Sequence, residues 1–440
     1  MSDLLRRVNE SLESEAPALA RCLSPLGRRI VMPAGIPVQA REARSTTYNG
    51  TIGQLTDGHG GSLPLPTMAR VLGGLDGKEL DRAFLYSPVA GITEVRERWR
   101  ERQRRGQGAD RPSTLPLVTC GLSHSLSILA DLFGGDGRAV VVPSPYWGNY
   151  NHVFATRTGA RMISAPAFRD GVYNHRFAEE AVAGGALAAG EPVVVILNLP
   201  SNPGGYSATD TERREIRASL VRLAAERPVV VICDDAYAGL VYEDDISRWS
   251  MFWDLVGAHP ELFPVKVDGA TKEFSFFGGR VGFLTFPFAP GSPAADALES
   301  KVMGLVRSTV GSPVASSQAV LLAAMRESRI EDEIEAVRSL LAERYRVLKE
   351  ALAQTDDALL RPQPFNSGSF ALVELPEELG VDAEALRQHL LAHEDTGLIS
   401  IGSSFIRIAH CSVDRDELPE LVRRLERGVA TLAQRTVGKG

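Results

Sequence analysis

The sequence predicts an α/β protein with a mainly parallel seven-stranded sheet, helices on both faces and a smaller α+β domain. Short continuous apolar runs alternate with helical patterns, which is typical of parallel strands buried on both faces. A chain of 440 residues is also too long for one simple core. We expect an N-terminal segment at 1–60 that contributes to the small domain, a large domain at 61–315 and a C-terminal small domain at 316–440.

Seven runs of β-branched and other apolar residues have the length of strands and are predicted to form the large sheet. They are residues 117–119, 139–142, 161–165, 193–197, 229–233, 265–267 and 281–286. Four longer segments have helical patterns, namely residues 92–105, 123–133, 317–329 and 331–354. Strands near 369–373 and 404–408 are expected in the small domain.

The N-terminal residues 1–45 are predicted to be helical first and loop-like later. Leu4, Leu5, Val8 and Leu12 have the spacing of an amphipathic helix. Charged residues among these leucines exclude a signal peptide from this stretch. Two prolines, Pro33 and Pro37, are expected to end regular structure.

Composition excludes several classes of function. A net charge of −7 and a pI of about 5.7 do not favour nucleic acid or an anionic membrane as partners. No apolar run approaches the length of a membrane span. The four cysteines are scattered without a close pair, so a disulfide framework is not expected and a reducing cytoplasm fits best.

A metal site is not expected. His389 and His393 are four residues apart in a predicted helix, so they are close enough to share a metal. Two ligands without an evident third are more typical of a solvated helix face.

Lys272 is the strongest candidate for a reactive residue. It follows a short apolar strand and lies among small residues, and Arg280 follows between glycines. A lysine at the end of a strand can face a pocket, where desolvation lowers the pKa of its amine and favours attack on a carbonyl. We predict that Lys272 forms a Schiff base with pyridoxal phosphate and that Arg280 holds the phosphate of this cofactor. Alone the stretch is weak, because most lysines are solvated.

Polar residues follow two other predicted strands, at the edge where open α/β sheets bind ligands. Asp234 and Tyr237 come after 229–233, and Asn202 lies in an Asn-x-Pro-x-Asn-Pro loop after 193–197. Asp234 can keep a pyridine nitrogen protonated, and Tyr237 and Asn202 can bond the phenolic oxygen of the same ring. The alternatives are an acidic turn with Asp235 in solvent and a merely structural loop.

Three further features suit a phosphorylated ligand and an acidic substrate. Cys120-Gly121-Leu122-Ser123 begins a helix, where free N–H groups bind anions. The run 143–150 is rich in aromatic rings that can stack on a flat cofactor, although such clusters are more often core. Arg407 lies between apolar residues in a predicted strand and can clamp a carboxylate. A glycine turn at any β–α connection and a salt bridge on a strand face are the alternatives.

Together these motifs resemble the class I/II aminotransferases among the fold type I pyridoxal-phosphate enzymes. The resemblance spans about residues 45–410, and the matching motifs occur in the expected order. They are Asn202-Pro203-x-Gly205, Asp234-x-Ala236-Tyr237, Lys272 with Arg280-x-Gly282, and Arg407. The resemblance implies pyridoxal 5'-phosphate as the cofactor, amino-acid and 2-oxo-acid substrates, and a homodimer.

The resemblance also implies a role for each matching residue. Lys272 is the Schiff-base lysine and proton shuttle, Asp234 pairs with the pyridinium, and Asn202 and Tyr237 bind the phenolic oxygen. Arg407 binds the α-carboxylate of the substrate. Phosphate ligands are implied at Gly121, Leu122, Ser123 and Arg280, and Trp147 resembles the ring-stacking residue. Tyr86 resembles the tyrosine that reaches the neighbouring subunit's phosphate. Ile52 and Gly53 resemble the segment that closes over the substrate.

Three positions bear on how far the resemblance extends. A serine that is often found three residues before the lysine is Gly269, and the usual threonine after Asn-Pro is Gly204. Neither change removes an essential group. Arg307 falls near the place where members specific for dicarboxylates have a second arginine, and a surface arginine at a helix end is the alternative.

The predicted activity is transamination between an L-amino acid and a 2-oxo acid. Related folds use the same site for β-elimination, decarboxylation or amine oxidation. A ligand-sensing regulator is a further alternative, but the N-terminal residues show no basic recognition helix. A Rossmann-like nucleotide binder is disfavoured because no Gly-x-Gly-x-x-Gly follows a first strand.

Overall fold

A seven-stranded sheet forms the centre of the large domain. The computed structural model describes residues 3–32, 35–105 and 110–437. The seven strands in chain order are β1 Leu117–Thr119, β2 Ala139–Ser144, β3 Arg161–Pro166, β4 Val193–Asn198, β5 Val229–Asp234, β6 Leu262–Gly269 and β7 Gly282–Thr285. Their order across the sheet is β1-β7-β6-β5-β4-β2-β3, and only β7 runs antiparallel to its neighbours. The predicted fold class and all seven predicted strands are confirmed.

The register of the central strands places their carboxyl ends together. Asn198 at the end of β4 pairs with Asp234 at the end of β5, and Asp234 pairs with Val267 of β6. Apart from the half-buried Val230, the valines and isoleucines that precede Asn198 and Asp234 are buried on both faces of the sheet. Polar groups therefore emerge from the sheet at one edge, where ligands bind in such folds.

Helices cover the sheet and build most of the rest of the molecule. The four long predicted helices are confirmed at Thr93–Arg104, Leu122–Phe133, Ala315–Met325 and Ile330–Leu352. The other α-helices are Asp3–Glu15, Pro17–Cys22, Pro25–Arg29, Ile36–Glu42, Pro66–Gly73, Gly77–Phe84, Phe177–Gly184, Asp210–Ala224, Phe252–Leu255, Ala270–Glu273, Pro293–Thr309, Ala383–His393 and Leu418–Val437. Shorter 3₁₀ turns are Ala43–Ser45, Phe277–Gly279, Glu377–Leu379, His410–Ser412 and Arg415–Glu417, and Asn151–Thr156 is a π-helix.

The N-terminal region confirms one expectation and corrects another. The amphipathic helix is present as Asp3–Glu15 and buries Leu5. Pro37, expected to end regular structure, instead lies in the first turn of the helix Ile36–Glu42. A proline fits there because the first N–H groups of a helix have no partner within the helix. Pro33 lies outside the described residues.

The small domain contains a four-stranded antiparallel sheet. Its strands are β8 Arg361–Pro362, β9 Ala371–Glu374, β10 Ile399–Ile401 and β11 Phe405–Ile408, in the spatial order β8-β9-β11-β10. Two-residue strands also pair, Tyr48–Asn49 with Thr396–Gly397 and Phe168–Arg169 with Val172–Tyr173. The first of these pairs joins the N-terminal segment to the C-terminal unit. The domain limits at residues 60 and 315 stay a prediction, with which this pairing agrees.

A charged network is buried beneath the end of β5. Lys266 Nζ donates to Asp235 Oδ2 at 2.5 Å and lies 3.1 Å from Asp268 Oδ2. Asp268 also accepts hydrogen bonds from the side chains of Trp99 and Gln103. Burial works against the charge of Lys266, but the two carboxylates outweigh it and raise the pKa of the amine. An acidic turn with Asp235 in solvent is therefore the wrong alternative.

We expect Lys266→Met to lower the free energy of unfolding by about 3–5 kcal/mol, because two buried carboxylates then lose their counter-charge. Urea unfolding at pH 7.5 measures the change. The exposed Lys301→Met is the control and should unfold as the wild type does. Adding Asp235→Asn to Lys266→Met should recover part of the loss. Unchanged unfolding of the single variant would contradict this account of the network.

Candidate functional site

A cavity of about 780 Å³ opens at the carboxyl edge of the large sheet, beside the small domain. It brings together most of the side chains that the sequence singled out. Those that line it are Ile52, Gly53, Leu122, Ser123, Trp147, Asn202, Asp234, Tyr237, Lys272, Arg280 and Arg407. These residues come from both ends of the chain, so the fold assembles one site from distant segments.

Lys272 lies in the short helix Ala270–Glu273, which begins where β6 ends. Its Nζ donates to Gly53 O at 3.4 Å and lies 5.3 Å and 5.0 Å from the ring centroids of Tyr237 and Phe277. Burial, followed by the charges of the two nearby arginines, lowers the pKa of this amine to about 8. A larger fraction of Lys272 is therefore neutral and nucleophilic near neutral pH than of an ordinary lysine.

Asp234 is a buried carboxylate at the end of β5. Tyr150 Oη donates to Asp234 Oδ2 at 2.6 Å, and the backbone N–H of Ala236 donates to Oδ1 at 3.3 Å. Burial raises the pKa of Asp234 to about 6, while the bond from Tyr150 opposes that shift. The carboxylate is thus ionised at neutral pH and faces the cavity, as a group that pairs with a protonated ring nitrogen must.

Asn202 and Tyr237 lie side by side, as the resemblance implies. Asn202 Nδ2 donates to Tyr237 Oη at 3.4 Å, and Asn198 Oδ1 accepts from the Asn202 backbone at 2.7 Å. Asn198 Nδ2 in turn donates to Asp234 O at 2.9 Å. The loop after β4 is therefore tied to the end of β5, which fixes the amide of Asn202 over the cavity.

The start of the helix Leu122–Phe133 forms an anion cradle. Gly121 precedes the helix with a φ of 84°, and a Cβ on it would lie 2.4 Å from the guanidinium of Arg280. Ser123 and Thr271 line the same end of the cavity. Thr271 Oγ1 is buried and has no hydrogen-bond partner among the described residues. Free N–H groups, a close arginine and an unused hydroxyl make this end suitable for a phosphate.

The surroundings of Gly269 leave no room for the serine that the resemblance led us to expect there. A Cβ at this position would lie 2.4 Å from Val281 O and 2.8 Å from Leu122 Cδ1. The backbone of β6 and the turn before β7 approach too closely for any side chain. Gly204 has more room, because a Cβ there would meet only Ser201 Oγ at 2.9 Å.

Arg407 lies on β11 and is 1% exposed. Its Nη2 donates to Thr51 O at 2.8 Å, its Nη1 donates to Asn202 Oδ1 at 3.3 Å, and its guanidinium lies 4.4 Å from the Phe370 ring centroid. Burial lowers its pKa to about 10, so the group stays charged at neutral pH. No carboxylate of the described residues pairs with Arg407, and its Nε has no partner there. The alternative of a salt bridge on a strand face is therefore wrong.

Trp147 lines the cavity and meets Tyr150 edge to face, with ring centroids 5.4 Å apart. This contact orients the indole next to the residue that holds Asp234. Its stacking on a cofactor ring stays a prediction.

Tyr86 and Arg307 do not line the cavity of their own chain. Tyr86 is 95% exposed, and Arg307 is exposed in the last turn of the helix Pro293–Thr309. The sequence placed Tyr86 in a neighbouring subunit's site, which a single chain does not test.

Sequence reasoning missed several contributors to the site. Tyr150 was seen only as part of an aromatic cluster, although its position after a strand end was a usable signal. Ile36 and Pro37 also line the cavity, together with Ile401 at the end of β10 and Gly402 after it. No local motif marks these residues, because they come close to Lys272 only through the tertiary fold.

Within the described ranges, no cluster of three or more His, Cys, Asp or Glu side chains is placed to hold a metal ion. His389 and His393 have ring centroids 4.7 Å apart, and His389 is buried rather than on a solvated face. Within the part of the chain that the structure describes, no helix is long and apolar enough to cross a membrane.

The chemistry of the residues in and beside the cavity fits pyridoxal phosphate. Asp234 offers a carboxylate for a protonated ring nitrogen, and Asn202 and Tyr237 offer polar groups beside it. The cradle at Gly121 supplies unused donors at one end, and Lys272 supplies a desolvated amine. Each group of the cofactor thus meets a chemically matched side chain.

Comparison with known proteins gives aminotransferases among the relatives of this chain. An aromatic-amino-acid aminotransferase from Thermococcus litoralis is 22% identical over 349 residues, which is 78% of this chain and 83% of that protein. An aspartate/prephenate aminotransferase from Thermus thermophilus is 24% identical over 352 residues, covering 79% and 83% respectively.

Solved structures share the fold. A crystal structure of an aminotransferase from Anaerococcus prevotii has a TM-score of 0.78 at 20% identity and covers 91% of this chain and 98% of its own. An α-aminoadipate aminotransferase from Thermus thermophilus, complexed with N-(5'-phosphopyridoxyl)-L-leucine, has a TM-score of 0.72 at 21% identity and covers 94% and 98%.

A family model described as aminotransferase class I and II matches residues 66–425, which is most of the chain. Its span contains the cavity residues from Leu122 to Arg407. The chain belongs to the family of class I and II aminotransferases, the pyridoxal-phosphate-dependent transaminases of fold type I.

Proposed function

We propose that this cavity transfers an amino group between an L-amino acid and a 2-oxo acid, with Lys272 as the reactive amine. The observation that supports it best is that Lys272 and Asp234, both buried, line the same cavity. Burial lowers the pKa of the amine to about 8 and raises that of the carboxylate to about 6. Perturbed groups of opposite charge in one cleft are typical of catalytic sites.

The residues at the carboxyl ends of β4 and β5 and at the start of the helix Leu122–Phe133 hold the cofactor. Pyridoxal phosphate, when bound, supplies an electron sink for the bonds at the Cα of the amino acid. Asp234 holds a proton at the ring nitrogen, and Asn202 and Tyr237 bond the phenolic oxygen. Phosphate is held by Gly121, Leu122, Ser123 and Arg280, and Trp147 stacks on the ring.

The substrate end depends on Arg407 and Lys272. Arg407 lines the cavity, and among the described residues each of its two Nη groups donates one hydrogen bond of the two that it can donate, so the guanidinium can also bind the α-carboxylate. Ile52 and Gly53 lie between the two side chains, because Thr51 O bonds Arg407 and Gly53 O bonds Lys272. A substrate held by its carboxylate therefore has its Cα near Nζ of Lys272, which moves the Cα proton as general base and acid.

We also propose a cytoplasmic homodimer. An exposed apolar face contains Phe84 (82% exposed), Leu85 and Tyr86 on one segment and Val310 and Val314 on another. The two segments are joined because Ser87 Oγ donates to Pro313 O at 2.8 Å. A contiguous face of this kind marks an interaction surface. A second copy would cover it and receive Tyr86 at its own phosphate end, and Arg307 lies near the same face.

Borohydride reduction of the holoenzyme followed by proteolysis should place a pyridoxyl label on the peptide that contains Lys272. Lys272→Ala should lose the label there and transaminate at least about 10³-fold more slowly, because both the nucleophile and the proton shuttle are gone. The exposed Lys301→Ala should keep both properties.

A label on another lysine, or undiminished activity of Lys272→Ala, would overturn the assignment of Lys272. In a half-reaction with an amino acid, the wild type should form stoichiometric pyridoxamine phosphate. Release of pyruvate with ammonia would indicate elimination instead, and uptake of oxygen would indicate oxidation.

Tyr150→Phe should move the acidic limb of the kcat/KM profile to higher pH. The bond from Tyr150 lowers the pKa of Asp234, so its loss raises that pKa above about 6 and protonates the carboxylate at a higher pH. Rates at pH 8.5 should change far less than rates at pH 6. The buried Tyr173→Phe is the control, since Tyr173 Oη has no partner among the described residues. An acidic limb that does not move would count against the role of Asp234.

Phe84→Glu should convert the dimer to a monomer in sedimentation equilibrium, because a carboxylate would be buried in the proposed interface. Cofactor affinity should fall with it, since Tyr86 of the second copy would leave the phosphate. Val172→Glu is the control, because Val172 is also exposed and belongs to the separate pairing of Phe168–Arg169 with Val172–Tyr173. A wild-type protein that sediments as a monomer would contradict the proposed homodimer.

A further inference from the structure

Part of the cavity is not used by the cofactor groups or by the substrate's α-carboxylate. It is an apolar wall, which we define as Ile36, Pro37, Ile52 and Ile401. Ile36 and Pro37 begin the helix Ile36–Glu42, and Ile401 ends β10. Ile52 precedes Gly53, whose carbonyl oxygen bonds Lys272. A substrate whose Cα lies near Lys272 therefore has this wall within reach of its side chain.

The two halves of the wall are fixed to each other by a reciprocal pair of hydrogen bonds. Gln39 Nε2 donates to Ser400 Oγ at 2.9 Å, and the Ser400 backbone N–H donates to Gln39 Oε1 at 3.0 Å. Ser400 Oγ then donates to Glu384 Oε2 at 2.7 Å. Gln39 thus holds the helix that carries Ile36 against the strand that carries Ile401.

A buried arginine adds a second fastening. Arg387 lies 2.8 Å from Glu42 Oε2 and 2.6 Å from Glu384 Oε1, and its side chain is 2% exposed. It therefore ties the far end of the helix Ile36–Glu42 to the helix Ala383–His393. Fastened at both ends, the wall has a preformed shape, which is what a pocket for a side chain requires.

The charges of the cavity are already committed. Lysine and arginine side chains among its described lining residues are Lys272, Arg280 and Arg407. The amine serves the reaction, Arg280 the phosphate and Arg407 the α-carboxylate. A second carboxylate on the substrate would lie against the apolar wall and lose part of its hydration, and no further lysine or arginine among the described lining residues of the same chain would replace it, which is costly.

We propose that the apolar wall selects amino acids and 2-oxo acids with one carboxylate and an uncharged, apolar side chain. This inference rests on the proposed function, because it takes Arg407 and Lys272 as the anchor points of the substrate. Gln39 is a positioning residue in it, since it acts through the wall and not on the substrate.

The first test uses the wild-type holoenzyme and compares leucine, methionine and phenylalanine with aspartate and glutamate in the half-reaction. We expect kcat/KM to favour the apolar donors by about 100-fold. Two unreactive acids give an independent readout, namely 4-methylpentanoate and glutarate. Calorimetry should show the former binding at least about 10-fold more tightly, because it leaves no carboxylate on the wall.

The second test changes the wall. Ile401→Arg and Ile36→Arg should each raise kcat/KM for glutamate relative to leucine by about 100-fold, because the guanidinium supplies the missing partner. Ile30→Arg is the matched control, since Ile30 is exposed and does not line the cavity. Gln39→Ala should raise KM for leucine several-fold and leave kcat nearly unchanged, as expected when only side-chain fit is lost.

The outcomes separate this inference from the function beneath it. Conversion of the cofactor by aspartate or glutamate in preference to the apolar donors would overturn the inference and leave transamination standing. Arg307→Ala and His152→Ala would then show which of these two side chains holds the second carboxylate. Failure of every amino acid to convert the cofactor would instead overturn the proposed function.

Discussion

Two adjacent carboxylates buried at the end of β5 are the constraint on which the rest of the site depends. Successive residues of a strand point to opposite faces, so Asp235 faces Lys266 and Asp234 faces the cavity. An unpaired charge at either position would be very costly in this interior. The ammonium of Lys266 compensates the charge of Asp235. The hydrogen bond that Tyr150 donates partly compensates the charge of Asp234. The pairing of Asp235 with Lys266 thus stabilises the fold on one face of the sheet, and Asp234 offers a carboxylate for chemistry on the other.

The small domain reaches this strand end at two points, since Gly53 O accepts from Lys272 and Arg407 Nη1 donates to Asn202 Oδ1. Within the small domain, Thr51 O accepts from Arg407. Asn202 belongs to the large domain and bonds both Tyr237 and Arg407. The groups for the cofactor and the group for the substrate carboxylate are therefore linked through one chain of contacts. A shift of the segment 51–53 would alter both sets at once.

The sequence was sufficient wherever a function follows from position in a strand. Asp234, Asn202 and Lys272 were found because parallel strands bring their carboxyl ends to one edge, and the register of β4, β5 and β6 confirms that geometry. It was insufficient where a role depends on contact across the fold. No role was predicted for Lys266, because its pairing with Asp235 and Asp268 is visible only in the folded structure. Gly269 looked like a lost hydroxyl until the closeness of Val281 O showed that only glycine fits. Pro37 was interpreted locally as a stop, although the same ring begins a helix.

Desolvation explains why one cavity can prepare two groups in opposite ways. Removing water disfavours any charge, so it lowers the pKa of the Lys272 amine and raises that of the Asp234 carboxyl. Neither shift goes to completion, because Tyr150 and the Ala236 N–H stabilise the carboxylate and because the charge of Asp234 stabilises the ammonium. At a pH near 8 the carboxylate is ionised while about half of the amine is free. A wetter cavity would restore the ordinary pKa of lysine and leave almost no neutral amine at that pH. The aromatic rings of Tyr237 and Phe277 lie beside Nζ and help to keep water away from the amine.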